Sequence, residues 1–426
     1  MRSDRPFCAA KSIFVIFVPL LLASTLIPAQ TQQATKFEVL HTFKGSDGAA
    51  PVGQLVRDKV GNLYGTAVIG GSDACQGGCG TAFKMDSTGK MVWVHSFNGV
   101  NGRQPEAGML RDAAGNLFGT TVDGGDLMCI PPYGCGTVFK LDATGKETIS
   151  HKFNSPPYGP YGPEALLVED PAGNHYGTTY IGGKYGSGTV FKIDKAGKLT
   201  IRYNFTGGSD GCSPDPGVIL DSAGNLYGVT SGGGTGGCDG FGVVFKVDTS
   251  GNETVLHTFG GGDGSGPDSV LLFDAQGNLY GTTALGGTSD VCDGGCGTVF
   301  ELSPQNGSWW ETVLYNFCSL SDCADGREPL RGPLVRDADG NLYGTTYFGG
   351  TSRNCSEVGC GVVFKLDTAG NETVLHSFTG GADGASPWAG LTAGPMGSLY
   401  GAAQQGGDQC KAGNGQGCGT VFKITP

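Results

Sequence analysis

The sequence predicts an all-β fold: a seven-bladed β-propeller of four-stranded antiparallel blades, with the ring closed by the N-terminal strand joining the C-terminal blade. Three observations carry this. The run GNLYGTT, Gly340 to Thr346, recurs as near-copies starting at Gly61, Gly115, Gly173, Gly224, Gly277 and Gly397. The starts lie 54, 58, 51, 53, 63 and 57 residues apart. Every copy sits among short segments rich in Val, Thr, Tyr, Phe and Leu, as strands prefer, and none keeps a 3.6-residue period over a helix length.

Each unit offers four segments, here labelled a to d. Segment a is an apolar run leading up to an Asp, as in Leu334-Val335-Arg336-Asp337. Segment b is NLYGTT, c is GTVFKLD and d is ETVLHTF. D-x-x-G-N joins a to b, and D-x-x-G-K or D-x-x-G-N joins c to d. Both read as tight hairpin turns in which Gly takes the positive φ. A Gly pair follows each b, from Gly70-Gly71 to Gly406-Gly407, and then a variable loop. One Phe recurs in c: Phe83, Phe139, Phe191, Phe245, Phe300, Phe364 and Phe422. A unit of about 50 residues with four meandering strands is a propeller blade.

The ends explain each other. Phe37 to Phe43 reads FEVLHTF, a d strand with no a, b or c before it. Gly419 to Pro426 reads GTVFKITP, a c strand with no d after it. Pairing the two removes two exposed sheet edges. The propeller then spans 37–426, with repeats near 51–97, 105–153, 163–205, 214–259, 267–317, 329–378 and 387–426 plus 37–43. A single core rarely grows beyond about 250–300 residues, a limit that a core repeated between blades avoids. The glycine count, 79 of 426, is punctuation at turns and bulges.

Residues 1–33 read as a secretory signal: Arg2, Arg5 and Lys11 precede the apolar run Ile13 to Leu22, and Ile27-Pro28-Ala29 offers a cleavage site. No second apolar stretch follows, so no membrane span is expected after signal removal. Without those residues the chain has 24 Lys+Arg against 38 Asp+Glu, a charge of −14. That balance argues against nucleic acid and anionic membranes. The expected location is secreted or periplasmic, in a bacterium, as a monomer.

Fourteen cysteines follow the signal, an even number in an exported chain, which implies disulfides. Spacing suggests Cys75–Cys79, Cys129–Cys135, Cys292–Cys296, Cys318–Cys323, Cys355–Cys360 and Cys410–Cys418, leaving Cys212 with Cys238. Cys-x-x-x-Cys pairs without nearby His, scattered over separate blades, make a poor zinc site.

In a propeller meander the b–c and d–a connections emerge on one face. Here they are long, variable and cysteine-tied, which is where binding sits on a rigid scaffold. Five d–a loops share D-G-x-x-P, for example Asp263 to Pro267; blade two has Asn101 to Pro105 and blade three departs with SPPYGPYGP, and the repetition marks a turn device. The residue after the Pro varies: Val52, Glu106, Glu164, Asp215, Asp268, Leu330 and Trp388. Four consecutive blades thus place carboxylates Glu106, Glu164, Asp215 and Asp268 on one arc at the channel mouth. They are the candidate catalytic residues, suited to an acid/base pair or to Ca2+ or another cation. The plainer reading is a solvated acidic rim. No metal ligand set and no cofactor is otherwise predicted.

Exposed rings on the same face suit sugars or peptide: Trp388, Tyr180, Tyr347, Tyr133 and Tyr161. Trp93, Trp309 and Trp310 lie in or beside d strands and read as packing. His41, His95, His151, His257 and His376 share one position in d, filled by Tyr203 and Tyr315 in two blades. One equivalent residue per blade is a structural hydrogen-bonding position. No H-E-x-x-H or phosphate-binding loop occurs.

The run GNLYGTT, Gly-Gly, GCGTVFKLD and ETVLHTF resembles the GloVer tandem repeat of exported bacterial proteins, across all seven units. The resemblance implies no activity and no catalytic residues. Some members carry a C-terminal sorting anchor; nothing follows Pro426 here, which favours release or periplasmic residence. The reading is an exported binding module for an extracellular glycan or a cell-envelope protein. The rival readings are a polysaccharide hydrolase or lyase using the carboxylate arc, and a structural or adhesive surface protein.

Overall fold

A computed structural model describes residues 35–154, 159–408, 410 and 415–426. The expected signal, 1–33, lies outside the described residues. Seven antiparallel sheets, each with strands a to d in meander order, stand in a ring as a seven-bladed propeller. In the sixth blade, Val335–Arg336 pairs with Leu342–Thr346, which pairs with Val362–Leu366, which pairs with Glu372–Ser377. The seventh blade takes its outer strand from the other end of the chain. Lys36–Thr42 pairs antiparallel with Thr420–Thr425, and Phe37 lies opposite Ile424.

The repeated letters have physical reasons. In the a–b turn, the Asp58 carboxylate accepts from the Asn62 backbone and side chain, each at 2.8 Å, and from the Tyr64 hydroxyl at 3.0 Å. The Tyr of NLYGTT thus locks the turn six residues before it. The Gly of NLYGTT gives way to a ring: a Cβ on Gly65 would stand 2.5 Å from Cζ of Phe83 on the paired c strand. The same contact recurs in the other six blades, so the Gly and the Phe repeat together.

The blades are joined by phenylalanine. The Phe that ends each d strand packs edge-on against the c-strand Phe of the next blade. Phe43–Phe83, Phe97–Phe139, Phe153–Phe191, Phe205–Phe245, Phe259–Phe300, Phe317–Phe364 and Phe378–Phe422 have centroids 5.0–5.3 Å apart. All fourteen rings are buried. Each such pair is worth about 0.5–1.5 kcal/mol beyond its buried area.

The d-strand histidines are structural. His41, His257 and His376 place Nε2 2.8, 2.9 and 3.1 Å from Asp47, Asp263 and Asp383. The hydroxyls of Tyr203 and Tyr315 donate to Asp210 and Asp325 at 3.0 and 2.8 Å. These acceptors are the Asp of D-G-x-x-P, which also caps its own loop: Lys44 N donates to Asp47 at 2.8 Å. Two repeated features of the sequence are therefore one hydrogen-bonded unit.

Trp93 packs against Tyr64 of its own blade, and Trp309 against Tyr227 of the preceding blade. Trp310 departs from the expected packing and is 61% exposed. It lies in the longest c–d hairpin, Thr298–Gln305 with Ser308–Asn316. Successive side chains of a strand face opposite ways, so burying Trp309 turns Trp310 outward.

Candidate functional site

The site face is built on hydrogen bonds between blades. The residue before each repeated Pro holds a left-handed φ in all seven loops, for example 55° at Gln104 and 56° at Glu328. That conformation aims its N–H at the preceding blade: Gln104 N donates to Cys79 O at 3.0 Å and Glu328 N to Cys296 O at 2.9 Å. In five of the seven loops the acceptor is a disulfide cysteine; in the other two it is Ser187 or Phe241. The bridges Cys75–Cys79, Cys129–Cys135, Cys212–Cys238, Cys292–Cys296, Cys318–Cys323, Cys355–Cys360 and Cys410–Cys418 are all formed.

The four arc carboxylates converge, and they converge on an arginine. Arg331 Nη2 stands 2.8 Å from Glu164 Oε2 and 2.9 Å from Asp215 Oδ2. Its Nη1 is 3.3 Å from Glu106 Oε2, and its Nε is 3.9 Å from Asp268 Oδ2. The guanidinium carbon lies 5.6 Å from the centroid of the Trp388 ring. Leu330 does not take the ring position expected of it. Arg331 stands six residues before Asp337, as Glu106 stands six before Asp112. Blade six carries one extra residue after its Pro, and Arg331 is its equivalent of the carboxylates. Counting back from the turn Asp, rather than forward from the Pro, finds it. The insertion leaves Arg331 at a φ of 37°.

Four acids share one cation, so not all stay ionised. Burial first, and then repulsion from Glu164, pushes Glu106 up to about 7 despite Arg331. Burial raises Asp268 to about 6, against the pull of Arg331. Asp215, 7% exposed, is raised well above its ordinary value by burial and by Asp268 and Glu164. The remaining channel space beside this cluster is about 30 Å3, bounded by Val52, Glu106, Glu164, Val270 and Arg331 among others. It has room for a water or two and none for a sugar ring.

A larger groove opens on the same face, between blades two and three. Its volume is about 380 Å3. Tyr133, Tyr161, Ile130 and Ile181 supply apolar walls; Arg103, Asp123 and Glu164 supply charge. Tyr133 is 49% exposed, and the Arg103 guanidinium sits 5.3 Å from its ring centroid. Pro160–Tyr161 pairs with Ile181–Gly182 in a short ribbon that fixes one wall. Burial raises the Asp123 carboxyl, opposed by Arg103 and aided by Glu164.

The five candidate rings separate into three places. Tyr133 and Tyr161 share the groove. Trp388 and Tyr347 pack edge-on across the mouth, 5.2 Å between centroids, and the Tyr347 hydroxyl donates to Gln404 at 3.1 Å. Tyr180 is exposed but does not line the groove. Arg103, Asp123 and Ile130 were not foreseen; each belongs to a loop whose partners are set only by the fold.

The fold and the site define a disulfide-tied seven-bladed propeller with an arginine-plugged channel and a polar, ring-lined groove. The Gloeobacter/Verrucomicrobia repeat matches residues 26–170 and 162–413, so the chain belongs to that repeat family. No curated protein matches it by sequence. Among solved structures, the extracellular domain of a hybrid two-component system from B. thetaiotaomicron is similar at 14% identity and a TM-score of 0.52. That match covers 92% of this chain, which spans 41% of the other. A luciferin-regenerating enzyme matches at 11% identity and a TM-score of 0.46, over 92% of this chain and 96% of that one. A gluconolactonase from Xanthomonas campestris matches at 14% and 0.39, over 73% and 82%. These likenesses speak to fold alone.

Proposed function

We propose that this protein is an exported binding module that takes a glycan chain in the groove between blades two and three. The observation that carries this is the pairing of Tyr133 and Tyr161 with Arg103, Asp123 and Glu164 in one open depression on variable loops. Flat apolar rings fit the faces of sugars, and a few charged groups fix the hydroxyls. Seven disulfides fit an oxidising compartment, secreted or periplasmic. Among the described residues no helix is long and apolar enough to cross a membrane.

The polysaccharide-cleaving alternative has less support. Its carboxylates are engaged by Arg331, the space between them does not admit a sugar, and of the four only Glu164 also borders the groove. Calcium or another cation at the arc would compete with the same guanidinium. A cell-envelope protein remains the alternative ligand for the groove.

The test is retention of the mature protein on a panel of microbial and plant polysaccharides, scored together with new chain ends. Binding weakened about tenfold or more by Tyr133→Ala or Tyr161→Ala, and unchanged by Trp310→Ala, is the expected result; one well-packed ring contributes on that scale. New ends abolished by Glu106→Gln or Glu164→Gln would replace the reading with an enzyme. No retention on any glycan would turn attention to a protein ligand.

A further inference from the structure

Two of the seven bridges meet. Cys292–Cys296 lies in the b–c loop of blade five, and Cys318–Cys323 lies in the d–a loop entering blade six. All four cysteines are buried, and their four Sγ atoms lie within 4.8 Å of one another. Among the described residues no other four cysteines do so. The pairs that looked scattered in the sequence are brought together because the two loops emerge side by side.

We propose that these four residues form a redox-gated tetrathiolate site for Zn2+. A zinc ion bound by four sulfurs at about 2.3 Å has sulfurs about 3.8 Å apart along each edge of its tetrahedron. Cys292 Sγ and Cys318 Sγ, which are not bonded to each other, already stand 3.8 Å apart. Opening each bridge to that same separation completes the tetrahedron with small side-chain rotations.

The backbone is held without the bridges. Cys296 O accepts from Glu328 N at 2.9 Å, Cys323 O from Gly326 N and Gly350 N at 2.9 Å each, and Cys292 O from Gly295 N at 3.0 Å. Cys318 N donates to Gly326 O at 3.2 Å. These bonds survive reduction, so four thiols stay facing one point. The Ser289 hydroxyl, 3.5 Å from Cys296 Sγ, is placed to support that thiolate from outside.

The chemistry balances with an external dithiol as reductant. Each bridge accepts two electrons and two protons, giving two thiols, while one dithiol closes to its own disulfide. Zn2+ then displaces the four thiol protons to solvent. Zinc binding therefore pulls reduction forward at these two bridges, and a lone bridge, with two sulfurs only, gains far less.

The experiment starts from the folded, oxidised full chain. It is equilibrated in redox buffers of a monothiol and its own disulfide, of rising thiol-to-disulfide ratio, with and without Zn2+; two monothiols supply the same two electrons per bridge. Thiols are then alkylated in acid-quenched samples and mapped by mass spectrometry. Zinc is expected to lower the midpoint for Cys292–Cys296 and Cys318–Cys323 together by about tenfold or more, with one zinc retained per chain, given how tightly four thiolates hold it. Cys318→Ser should remove the zinc effect at Cys292–Cys296, and a Cys75→Ser, Cys79→Ser double variant should leave it intact. Equal midpoints with and without zinc, or an equal shift at all seven bridges, would overturn the proposal.

Discussion

Arg331 and Asp215 are 116 residues apart in the chain and 2.9 Å apart at the channel mouth. That contact, with those to Glu106, Glu164 and Asp268, ties blade six across the channel to blades two, three, four and five. Removing the guanidinium leaves four buried acids facing one another. Arg331→Met should destabilise the protein by about 3–5 kcal/mol near neutral pH, the usual cost of breaking a buried ion cluster by one partner. The loss should shrink towards about pH 5, where the raised carboxyls are protonated. Urea unfolding at both pH values checks this, and an equal loss at both would show that the cluster is not what the arginine stabilises.

The outer rim makes a second pH prediction. Burial first, then Asp210, Asp263 and Asp325 respectively, raises Glu253 to about 7, Glu311 to about 7 and Glu372 to about 8. These acids bind protons more tightly folded than unfolded. Their stabilisation is complete below the ordinary value of 4.5 and is lost as pH rises through 7 to 8. The turn residues Asp58, Asp170, Asp221, Asp274 and Asp337 do the opposite. Burial raises each, but bonds from Asn and Tyr outweigh it and leave all five below the ordinary value of 3.8. Their stabilisation is lost as pH falls through those depressed values. The melting temperature should therefore peak in mild acid, near pH 4–5, and decline by pH 8. Replacing Glu253, Glu311 and Glu372 with Gln should flatten the alkaline limb; an unchanged limb would refute the assignment.

Ring closure can be tested by truncation. Phe37 stacks on His376 at 3.7 Å between centroids and meets Phe422 at 5.3 Å. Phe43 is fully buried against Phe83. Deleting residues 36–44 should cost at least the 3–5 kcal/mol of a lost buried Phe, and should expose the edge of Thr420–Thr425. A truncated chain that melts at the parent temperature would mean the strand does not close the ring.

The bridges should differ in worth with the loops they close. Cys212–Cys238 spans 26 residues and Cys75–Cys79 spans 4. On chain entropy the first contributes about 3.5 kcal/mol and the second about 2 kcal/mol. Paired Cys→Ser variants compared by guanidinium unfolding should rank in that order. The reverse order would show that local bonding, such as Cys79 O with Gln104 N, outweighs chain entropy.

What the sequence disclosed follows from what repeats. Seven copies of a strand pattern, its turns and its glycines state the blade seven times, and the unmatched strands at the two ends state the closure. The carboxylate arc was visible because four blades share a position. Its partner was not, because one inserted residue, Leu330, shifts Arg331 out of register when the count runs from Pro329. The groove was half visible. Tyr133 and Tyr161 stand out as rings in loops, but nothing in the linear order says that they face each other with Arg103 and Asp123. Contacts between loops of neighbouring blades carry no period of their own.

The belt of paired phenylalanines has a topological consequence. Seven nearly identical joints form a closed circle, so no joint is distinguished by its chemistry from the one that happens to hold the chain ends. The position of the ends is then an accident of the reading frame rather than a requirement of the architecture. A gene rewritten to begin at Glu147, with a short linker joining the old ends, should give the same circle with its break moved two places round.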